Sequence, residues 1–545
     1  MNFLNRSIYS LIFIFLLANC KSISKIPVPK PSSFEVVATP KKAPLTEEES
    51  KVWSHTDLEK DSIPGMSLEK AYAFLEGKKG VEVIVGVVDS GTDLLHEDLK
   101  DVAWVNKKEI PNNGIDDDKN GYIDDINGWN FLGTTYKEHL EYQRIVKDSS
   151  ITDEKTYQEA KAFYDEKLAA AEANKKRYGQ MLSMVTNADS TLAKHFNNSD
   201  YTKDDVMGIS SEDSTLKESI SVAKQMFGFG LSSLGQAKSE LTKLVSNADE
   251  MLSGEALKKE YRSVVGDNPN IMDNKFYGDS NTGHSSKDEA HGTHVSGIIG
   301  ASRDNNKGMN GVANNVKIMA VRAVPDGDEY DKDVALGLRY AVDNGAKVIN
   351  TSFGKAFSPK KEWVYEAILY AASKDVLIVN AAGNDGANID IEKTYPNDSR
   401  DLIEEISDNF LTVGAMSANY NENLPASFSN YGKINVDLFA PGVQIYSTIP
   451  EGAYAKFNGT SMAAPSTAGV AALIRSYYPK LSASQVKHIL MNSGTLINFE
   501  VIKPGSRSRE NPTGEKVLFS ELSVSGRVVN AYNALKMADF MVNGK

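Results

Sequence analysis

Five near-continuous apolar runs, separated by amphipathic segments, constrain the fold of this chain more than any other feature. Runs of this kind are typical of strands that are buried on both faces of a parallel sheet. Helical patterns at 332–344 and 362–374 lie between them and fit the crossovers that parallel strands require. We therefore predict an α/β fold with a mostly parallel sheet flanked by helices. The runs are VEVIVGVVDSG, VKIMAVRAV, AKVINTSFG, DVLIVNAAGN and FLTVGAM.

Residues 136–280 interrupt this alternation. They contain no proline before Pro269, and apolar residues recur every three or four positions from Tyr157 to Val185. This spacing predicts a large, mostly helical insertion. A second helical run at 216–265 is broken at GFG, which favours a helical hairpin or small bundle. The insertion carries no catalytic constellation, so we interpret it as a structural or partner-binding lobe, with a functional switch as the alternative.

The N-terminus has the pattern of an export signal. Arg6 precedes an apolar run from Ile8 to Leu17, which is too short to span a membrane as a mature helix. The only cysteine, Cys20, ends LANC, which resembles the lipidation site of bacterial lipoproteins. We predict a signal peptide at 1–19 and a lipid anchor at Cys20. The alternative is an ordinary cleaved signal with an incidental cysteine.

Composition and charge limit the classes of function that the chain can have. The chain has 73 acidic and 60 basic residues, a formal net charge of -13 and no long Lys/Arg run. This charge balance argues against nucleic acid as a partner. A hydrophobic content of 41% suits a globular core, whereas the segment after Cys20 is rich in Lys, Pro, Ser and Glu. We therefore expect residues 20–55 to be a tether.

Four glycine-flanked motifs place polar side chains at strand ends or helix starts. Asp89 ends the strand of VVDSGTD, and Asn384 follows another strand in NAAGNDG. His291 precedes the helix of HGTHVSGIIG, where Gly292 lets the ring approach another group closely. Ser461, in NGTSMAAPSTAGV, stands at a helix start, where free N–H groups favour developing negative charge.

Each motif alone also has a structural explanation. Asp89 could cap a turn, Ser461 could be an N-cap, and the pair His291 and His294 lacks the further ligands that a zinc site needs. Together the motifs supply a nucleophile, a base, a carboxylate that orients the base and a donor for an oxyanion. These are the four roles that acyl transfer requires.

The motifs resemble those of the subtilisin-like serine peptidases, the subtilases. The order Asp, His, Ser is theirs, and the resemblance covers 60–110 and 285–540. It implies a subtilisin-like fold in which Ser461 is the nucleophile and His291 the general base and then acid. It further implies that Asp89 orients His291. The matching stretches are DSGTDLLHEDL, HGTHVSGIIG, GVANNVKIMAVRAV, NTSFG, AAGN and FNGTSMAAPSTAGVAALI.

The resemblance also assigns roles to residues around Asp89, His291 and Ser461. Asn384 would donate to the oxyanion together with the N–H of Ser461. Ser352, Phe353 and Gly354 would pair with the backbone of an extended substrate. The catalytic domain would then consist of a first part at 56–135 and a second part at 281–540, with the insertion between them.

Two departures from the family pattern concern organisation. Asp89 and His291 are 202 residues apart, far more than in simple subtilases, because the insertion lies between them and must loop out near the active site. The segment between Cys20 and the catalytic domain is short for the folded propeptide of many relatives. The insertion could therefore shield the cleft, recruit a partner or assist folding.

The stretch DDDKNGYIDDIN has the spacing of a calcium loop. Its candidate ligands are Asp116, Asp118, Asn120, the carbonyl of Tyr122, and Asp124. Asn127 stands where a bidentate glutamate would close the loop, and an uncomplexed Asx-rich turn is the alternative. Asp98 in HEDL resembles a calcium ligand of some subtilases.

We interpret the chain as a serine endopeptidase of protein or peptide substrates, exported and anchored to a bacterial membrane through Cys20. Its chemistry would need no cofactor, and calcium would be structural. The main alternative is a catalytically silent, subtilase-shaped surface binding lipoprotein in which the insertion binds a protein partner. A lipase or esterase is disfavoured because the surroundings of Ser461 are not Gly-x-Ser-x-Gly.

Overall fold

The computed structural model describes residues 39–544, so the predicted signal peptide at 1–19 and the predicted anchor Cys20 lie outside the described residues. A nine-stranded sheet forms the centre, in the order β10-β13-β7-β6-β5-β4-β1-β3-β2. Every neighbouring pair is parallel except β10 and β13. The strands are β1 (Val83–Asp89), β2 (Gly128–Asn130), β3 (Val316–Arg322), β4 (Val348–Thr351), β5 (Leu377–Ala381), β6 (Phe410–Met416), β7 (Leu438–Pro441), β8 (Ile445–Ile449), β9 (Ala453–Phe457), β10 (Thr495–Leu496), β11 (Glu500–Ile502), β12 (Lys516–Leu518) and β13 (Arg527–Val528).

Fourteen α-helices accompany the strands in the described part of the chain. None of those within residues 39–544 is both long and apolar enough to cross a membrane. The helices are α1 (Glu47–Val52), α2 (Leu58–Asp61), α3 (Leu68–Leu75), α4 (Glu141–Lys147), α5 (Glu154–Phe196), α6 (Lys203–Met207), α7 (Ser214–Gly228), α8 (Leu234–Ser253), α9 (His291–Gly300), α10 (Asp331–Asp343), α11 (Lys361–Ser373), α12 (Thr460–Tyr477), α13 (Ala483–Ser493) and α14 (Ala531–Asn543).

The sheet has a hydrophobic core on each face, which confirms the α/β fold expected from the apolar runs. Val83, Val85 and Val87 of β1 pack in one core with α9, α12 and α14. Val88 and Ile349 belong to the other core, with α10 and α11. Both faces of β1 are therefore buried, which is why its sequence is almost entirely apolar. The helices predicted at 332–344 and 362–374 are α10 and α11, each within one residue of the expected bounds.

The insertion is helical, as expected. Its longest element is α5, a helix of 43 residues that begins after the Asp153 cap. The break expected at GFG separates α7 from α8, which both pack against the distal half of α5. The fully buried side chains Leu192 and Ala223 lie in the core of this distal lobe. The insertion therefore has a small hydrophobic core of its own.

The N-terminal segment packs on the sheet-containing domain from α1 onward, within the range 20–55 for which a tether was expected. The side chain of Trp53 is only 2% exposed, and its Nε1 donates to the carbonyl oxygen of Val443 at 3.1 Å. Nearby, Lys456 donates to the hydroxyl of Ser50 at 2.7 Å. The charged composition of this segment did not reveal the docking, because its apolar contacts with the core come from a few side chains such as Trp53 and Leu45.

Trp53→Ala should lower the free energy of unfolding by about 3–5 kcal/mol, because it removes a buried indole and leaves a cavity. The neighbouring Val52→Ala is the matched control, since Val52 is 51% exposed, and should change stability by no more than about 0.5 kcal/mol. Urea denaturation followed by circular dichroism measures both. Equal stability of the two variants would show that the segment is not docked in solution.

Candidate active site

Polar residues follow the carboxyl ends of three neighbouring strands in the middle of the sheet. Asp89 is the last residue of β1, Ser352 follows β4, and Asn384 comes shortly after β5. These strands are adjacent and parallel, so their carboxyl ends lie at one edge, with neighbours about 4.8 Å apart. Ser461 reaches the same edge, because its Oγ donates to the carbonyl oxygen of Ser352 at 3.0 Å.

Asp89 and His291 form a hydrogen bond across the insertion. The Nδ1 atom of His291 lies 2.7 Å from Oδ1 of Asp89, which is fully buried. Burial lowers the pKa of His291, but the charge of Asp89 and its hydrogen bond outweigh that effect, so the pKa lies above its ordinary value. With the proton held on Nδ1 by the carboxylate, Nε2 is left as the basic atom of the neutral ring.

The start of α9 lies unusually close to the turn after β1. The N–H of Gly292 donates to the hydroxyl of Ser90 at 3.0 Å. A Cβ on Gly292 would lie 2.4 Å from the carbonyl oxygen of Ser90, so any larger residue would push the helix away. This contact bears out the sequence argument that Gly292 removes bulk to let the ring of His291 approach another group.

A buried ion pair between Arg322 and Glu289 supports this contact between the start of α9 and the turn after β1. Sequence reasoning did not identify the pair. Nε of Arg322, at the end of β3, lies 2.6 Å from Oε1 of Glu289, and both side chains are almost fully buried. The same oxygen accepts from the N–H of Gly91 at 2.7 Å, while Oε2 accepts from the N–H of Ser285. Glu289 precedes His291 by two residues and therefore fixes the approach to α9. The available signal was an arginine at the buried end of β3, a strand whose only other charged residue is Lys317 near its start.

His294, which the sequence analysis judged a poor zinc ligand, is part of the core. Its Nε2 lies 3.1 Å from the carbonyl oxygen of Ala455, and its ring stacks on Phe457 with centroids 4.2 Å apart. Burial lowers the pKa of His294 to about 3, so the ring stays neutral at physiological pH.

Ser461 lies in the first turn of α12. Ser461 is half-buried, whereas Ala463, Ala464 and Ala468 behind it are fully buried. These small side chains let α12 pack closely against the sheet and against α9, the helix that His291 begins. A second hydrogen bond, from the hydroxyl of Ser352 to the carbonyl oxygen of Ser461 at 3.0 Å, fixes the turn.

Asn384 lies beside the residue that precedes Ser461. Its Oδ1 accepts from both the N–H and the hydroxyl of Thr460, at 2.9 and 3.1 Å. Because the oxygen is engaged in this way, the Nδ2 group is the end of the amide that can donate to a ligand. Asn384 is exposed, so its Nδ2 is accessible from the cleft.

The segment predicted to bind substrate consists of Ser352, Phe353 and Gly354. The residue that follows it contacts the root of the insertion, which is the part where α4 begins. Nζ of the next residue, Lys355, lies 2.6 Å from Glu141 at the start of α4 and 2.8 Å from Asp331. All three charged groups are buried. Although burial alone would raise it, the pKa of Glu141 is lowered to about 2 because Arg144 and Lys355 lie beside it.

Aromatic contacts extend this attachment. Phe163 on α5 meets Phe357 with ring centroids 5.8 Å apart and meets Tyr142 at 5.1 Å. The root of the insertion therefore lies next to the segment 352–354, which agrees with the expectation that the insertion loops out near the candidate site.

The predicted metal ligands are only partly brought together. The carboxylates of Asp116 and Asp118 lie close to each other and to Glu109. Asp124 instead accepts from the N–H groups of Asn113 and Gly114, at 3.1 and 2.8 Å. Asn120 lies beside this pair, since its N–H is 3.1 Å from Oδ1 of both Asp116 and Asp118. Its Oδ1 accepts from the N–H of Tyr122 at 2.8 Å, and its Nδ2 donates to Asp125 at 3.0 Å. The ring of Tyr122 packs on Trp129.

Comparison with known proteins gives one family. Residues 80–516 match the model of the Subtilase family. The cell wall-associated protease of Bacillus subtilis is 37% identical over 256 residues, which are 47% of this chain and 25% of that protein. Subtilisin DY of Bacillus licheniformis is 38% identical over 208 residues, 38% of this chain and 70% of that protein. Subtilisin BL of Lederbergia lenta is 40% identical over the same shares. This chain thus spans a quarter of the length of the first relative and more than two thirds of the other two.

The hydrogen bond to Asp89 should be visible as a raised pKa of His291. In histidine-labelled protein followed by NMR, we expect His291 to titrate above 6.5, its ordinary value, and His294 to stay neutral over the same range. In Asp89→Asn the midpoint should fall below that of the wild type, because burial then acts without the opposing charge. A wild-type midpoint at or below 6.5 would contradict this geometry.

Proposed function

Because the chain belongs to the subtilase family, we propose that it is a serine endopeptidase whose catalytic residues are Asp89, His291, Ser461 and Asn384. The observation that carries the proposal is the 2.7 Å contact between Asp89 and His291 at the sheet edge that also holds Ser461. Two residues 202 positions apart meet there, and in the proposed chemistry His291, oriented by Asp89, activates the hydroxyl of Ser461.

The proposed proton path starts from the hydrogen bond between Asp89 and His291, and it requires the hydroxyl of Ser461 to turn from the carbonyl oxygen of Ser352 to Nε2 of His291. Asp89 holds the proton on Nδ1 of His291, so Nε2 takes the proton of Ser461 as its Oγ attacks a peptide carbonyl. The imidazolium formed in this step is stabilised by the buried carboxylate. It then gives the proton to the leaving amine, and water repeats the cycle on the acyl-enzyme.

The oxyanion would be held by two donors. One is Nδ2 of Asn384, whose oxygen is anchored on Thr460, and the other is the N–H of Ser461 at the start of α12. Such donors are worth most when they are already oriented before the reaction, and the two hydrogen bonds from Thr460 supply that orientation.

Protein or peptide substrates would bind as an added strand along Ser352, Phe353 and Gly354. The turn that follows is fixed by Lys355, whose N–H donates to the carbonyl oxygen of Tyr395 at 2.9 Å. Because Lys355 is also paired with the root of the insertion, the insertion would form one wall of this cleft.

We also propose that the protein is exported and held at a bacterial cell envelope through Cys20. The signal pattern and LANC support this location, as does the name of its relative, the cell wall-associated protease of Bacillus subtilis. Calcium would be structural, and the chemistry would need no cofactor. The insertion would bind a protein partner through its distal lobe, which packs around its own core.

Ser461→Ala should abolish labelling by a fluorophosphonate probe and cleavage of casein, because the variant lacks the nucleophile. The experiment uses residues 21–545, with and without calcium. Ser466→Ala is the matched control, since Ser466 lies in the same helix and is fully buried, and its hydroxyl donates only to the backbone carbonyl oxygens of Met462 and Pro441. It should keep both activities.

Absence of labelling in folded wild-type protein would favour the silent binding lipoprotein or a blocked cleft. A variant in which α5 is joined at Lys175 to α8 at Asp249 by a short linker distinguishes these two explanations. A short linker is enough because the two residues already form an ion pair 2.5 Å apart. Labelling that appears only after this removal of the distal lobe would show a blocked cleft. Labelling that stays absent would contradict the proposed peptidase.

Asn384→Asp should lower kcat on the order of 10²–10³-fold, about 3 kcal/mol, with a small change in KM. The variant keeps an oxygen that can accept from Thr460, loses the Nδ2 donor and adds a negative charge that repels the oxyanion, so a loss of kcat reports on the oxyanion. Steady-state kinetics on a peptide substrate measure it. Wild-type kcat in this variant would remove Asn384 from the mechanism.

A further inference from the structure

The loop before β2 holds a compact group of carboxylates outside the candidate active site. One oxygen from each of Glu109, Asp116 and Asp118 lies within 4.8 Å of the others. Within residues 39–544 this is the one group of three or more acidic, histidine or cysteine side chains that meets this spacing. The chemistry of the group is purely oxygen, which suits a hard cation.

Glu109 supplies the observation that points to a ligand. Its side chain is 94% buried, being only 6% exposed, and its Oε1 accepts from the N–H of Asp118 at 3.0 Å. Its Oε2 is buried but has no hydrogen-bond donor among the described residues. A carboxylate oxygen in this situation is costly unless a cation or a donor meets it, and the carboxylates of Asp116 and Asp118 are its neighbours.

The backbone of the loop orients the other two carboxylates. The N–H of Asn120 lies 3.1 Å from Oδ1 of both Asp116 and Asp118, and the N–H of Gly121 donates to Oδ2 of Asp116 at 2.8 Å. Gly121 has a φ of +98°, a conformation that suits glycine and makes the sharp turn possible. The carboxylates are thus held close together by contacts that do not neutralise their charge.

The charges around the group leave it negative. Nζ of Lys108 lies 3.7 Å from Asp118, but this lysine side chain is 76% exposed, so solvent weakens the attraction. The loop also carries Lys107 and Lys119, both exposed to solvent, but Asp117, Asp124 and Asp125 add more negative charge than these lysines offset. A divalent cation would supply the missing positive charge.

We propose that Glu109, Asp116 and Asp118 form a calcium site, in which Glu109 provides the carboxylate that the sequence pattern assigned to Asp124. Calcium accepts carboxylates in flexible geometry with six to eight oxygens, so backbone carbonyls and water can complete the shell. Asp124 keeps its bonds to Asn113 and Gly114 and remains outside the site. Glu109 lies before the pattern, so no spacing rule of a calcium loop includes it.

The site would stabilise the edge of the sheet next to the candidate active site. The loop is closed by Asn127, whose Nδ2 donates to the carbonyl oxygen of Trp104 at 2.6 Å, and leads directly into β2. On β2, Oδ1 of Asn130 accepts from Arg322 at 3.0 Å, the arginine that pairs with Glu289. Calcium binding would therefore add to the stability of a strand whose contacts reach the approach to α9.

Terbium luminescence tests the site without relying on activity. Tb³⁺ binds calcium sites, and Trp104 at the base of the loop can sensitise its emission. In residues 21–545 we expect saturable emission that calcium displaces. Glu109→Gln and Asp116→Asn should weaken the affinity of Tb³⁺ at least about tenfold, because each removes a charged ligand. Asp124→Asn and Asp117→Asn should bind as the wild type does.

Circular dichroism confirms that each variant is folded, and calcium should raise the Tm of the wild type more than that of Asp116→Asn. Loss of binding in Asp124→Asn with retention in Glu109→Gln would overturn the assignment of Glu109 in favour of the sequence pattern. Equal binding by all variants, or no saturable emission, would overturn the site itself. If Glu109→Gln does not fold, the comparison of Asp116→Asn with Asp124→Asn still decides whether Asp124 belongs to the site.

Discussion

The order of the strands is the constraint on which the candidate site depends. Because β1 lies between β3 and β4, and β5 follows β4, the parallel sheet brings the ends of these strands to one edge. Asp89, Ser352 and Asn384 therefore meet without any specific attraction between them. The contact between Asp89 and His291 then only requires α9 to begin close to that edge, which Gly292 permits. The sheet thus does most of the positioning, and short polar contacts complete it.

Buried charges appear where loops and helices must be held against this edge. Glu289, two residues before His291, pairs with Arg322. Lys355, directly after the segment proposed to bind substrate, pairs with Glu141. A buried ion pair contributes little net stability, but the loss of one partner leaves an uncompensated charge. Such pairs therefore define position rather than add stability. In this protein one of them ties the insertion to the cleft, so the insertion and the proposed substrate strand share a common support.

The fold was largely predictable from local patterns, and the same patterns picked out the four residues of the proposed site. Buried strands read as continuous apolar runs, and α10 and α11 follow from helical periodicity within one residue of their observed bounds. The docking of Trp53 and the roles of Glu289 and Glu109 were not predictable. Each depends on a partner far away in the sequence or outside a recognised motif, and neither periodicity nor spacing reports on such a partner.

The amino-acid sequence alone determined the class of fold, the helical nature of the insertion and the identity of the residues suited to acyl transfer, because these follow from short-range periodicity and from motifs a few residues long. Only the tertiary structure decided which carboxylates lie together near Asp116, how the insertion is attached at Lys355 and where the N-terminal segment docks. Those outcomes depend on which side chains share a buried space, and burial is a property of the folded chain that no single segment carries.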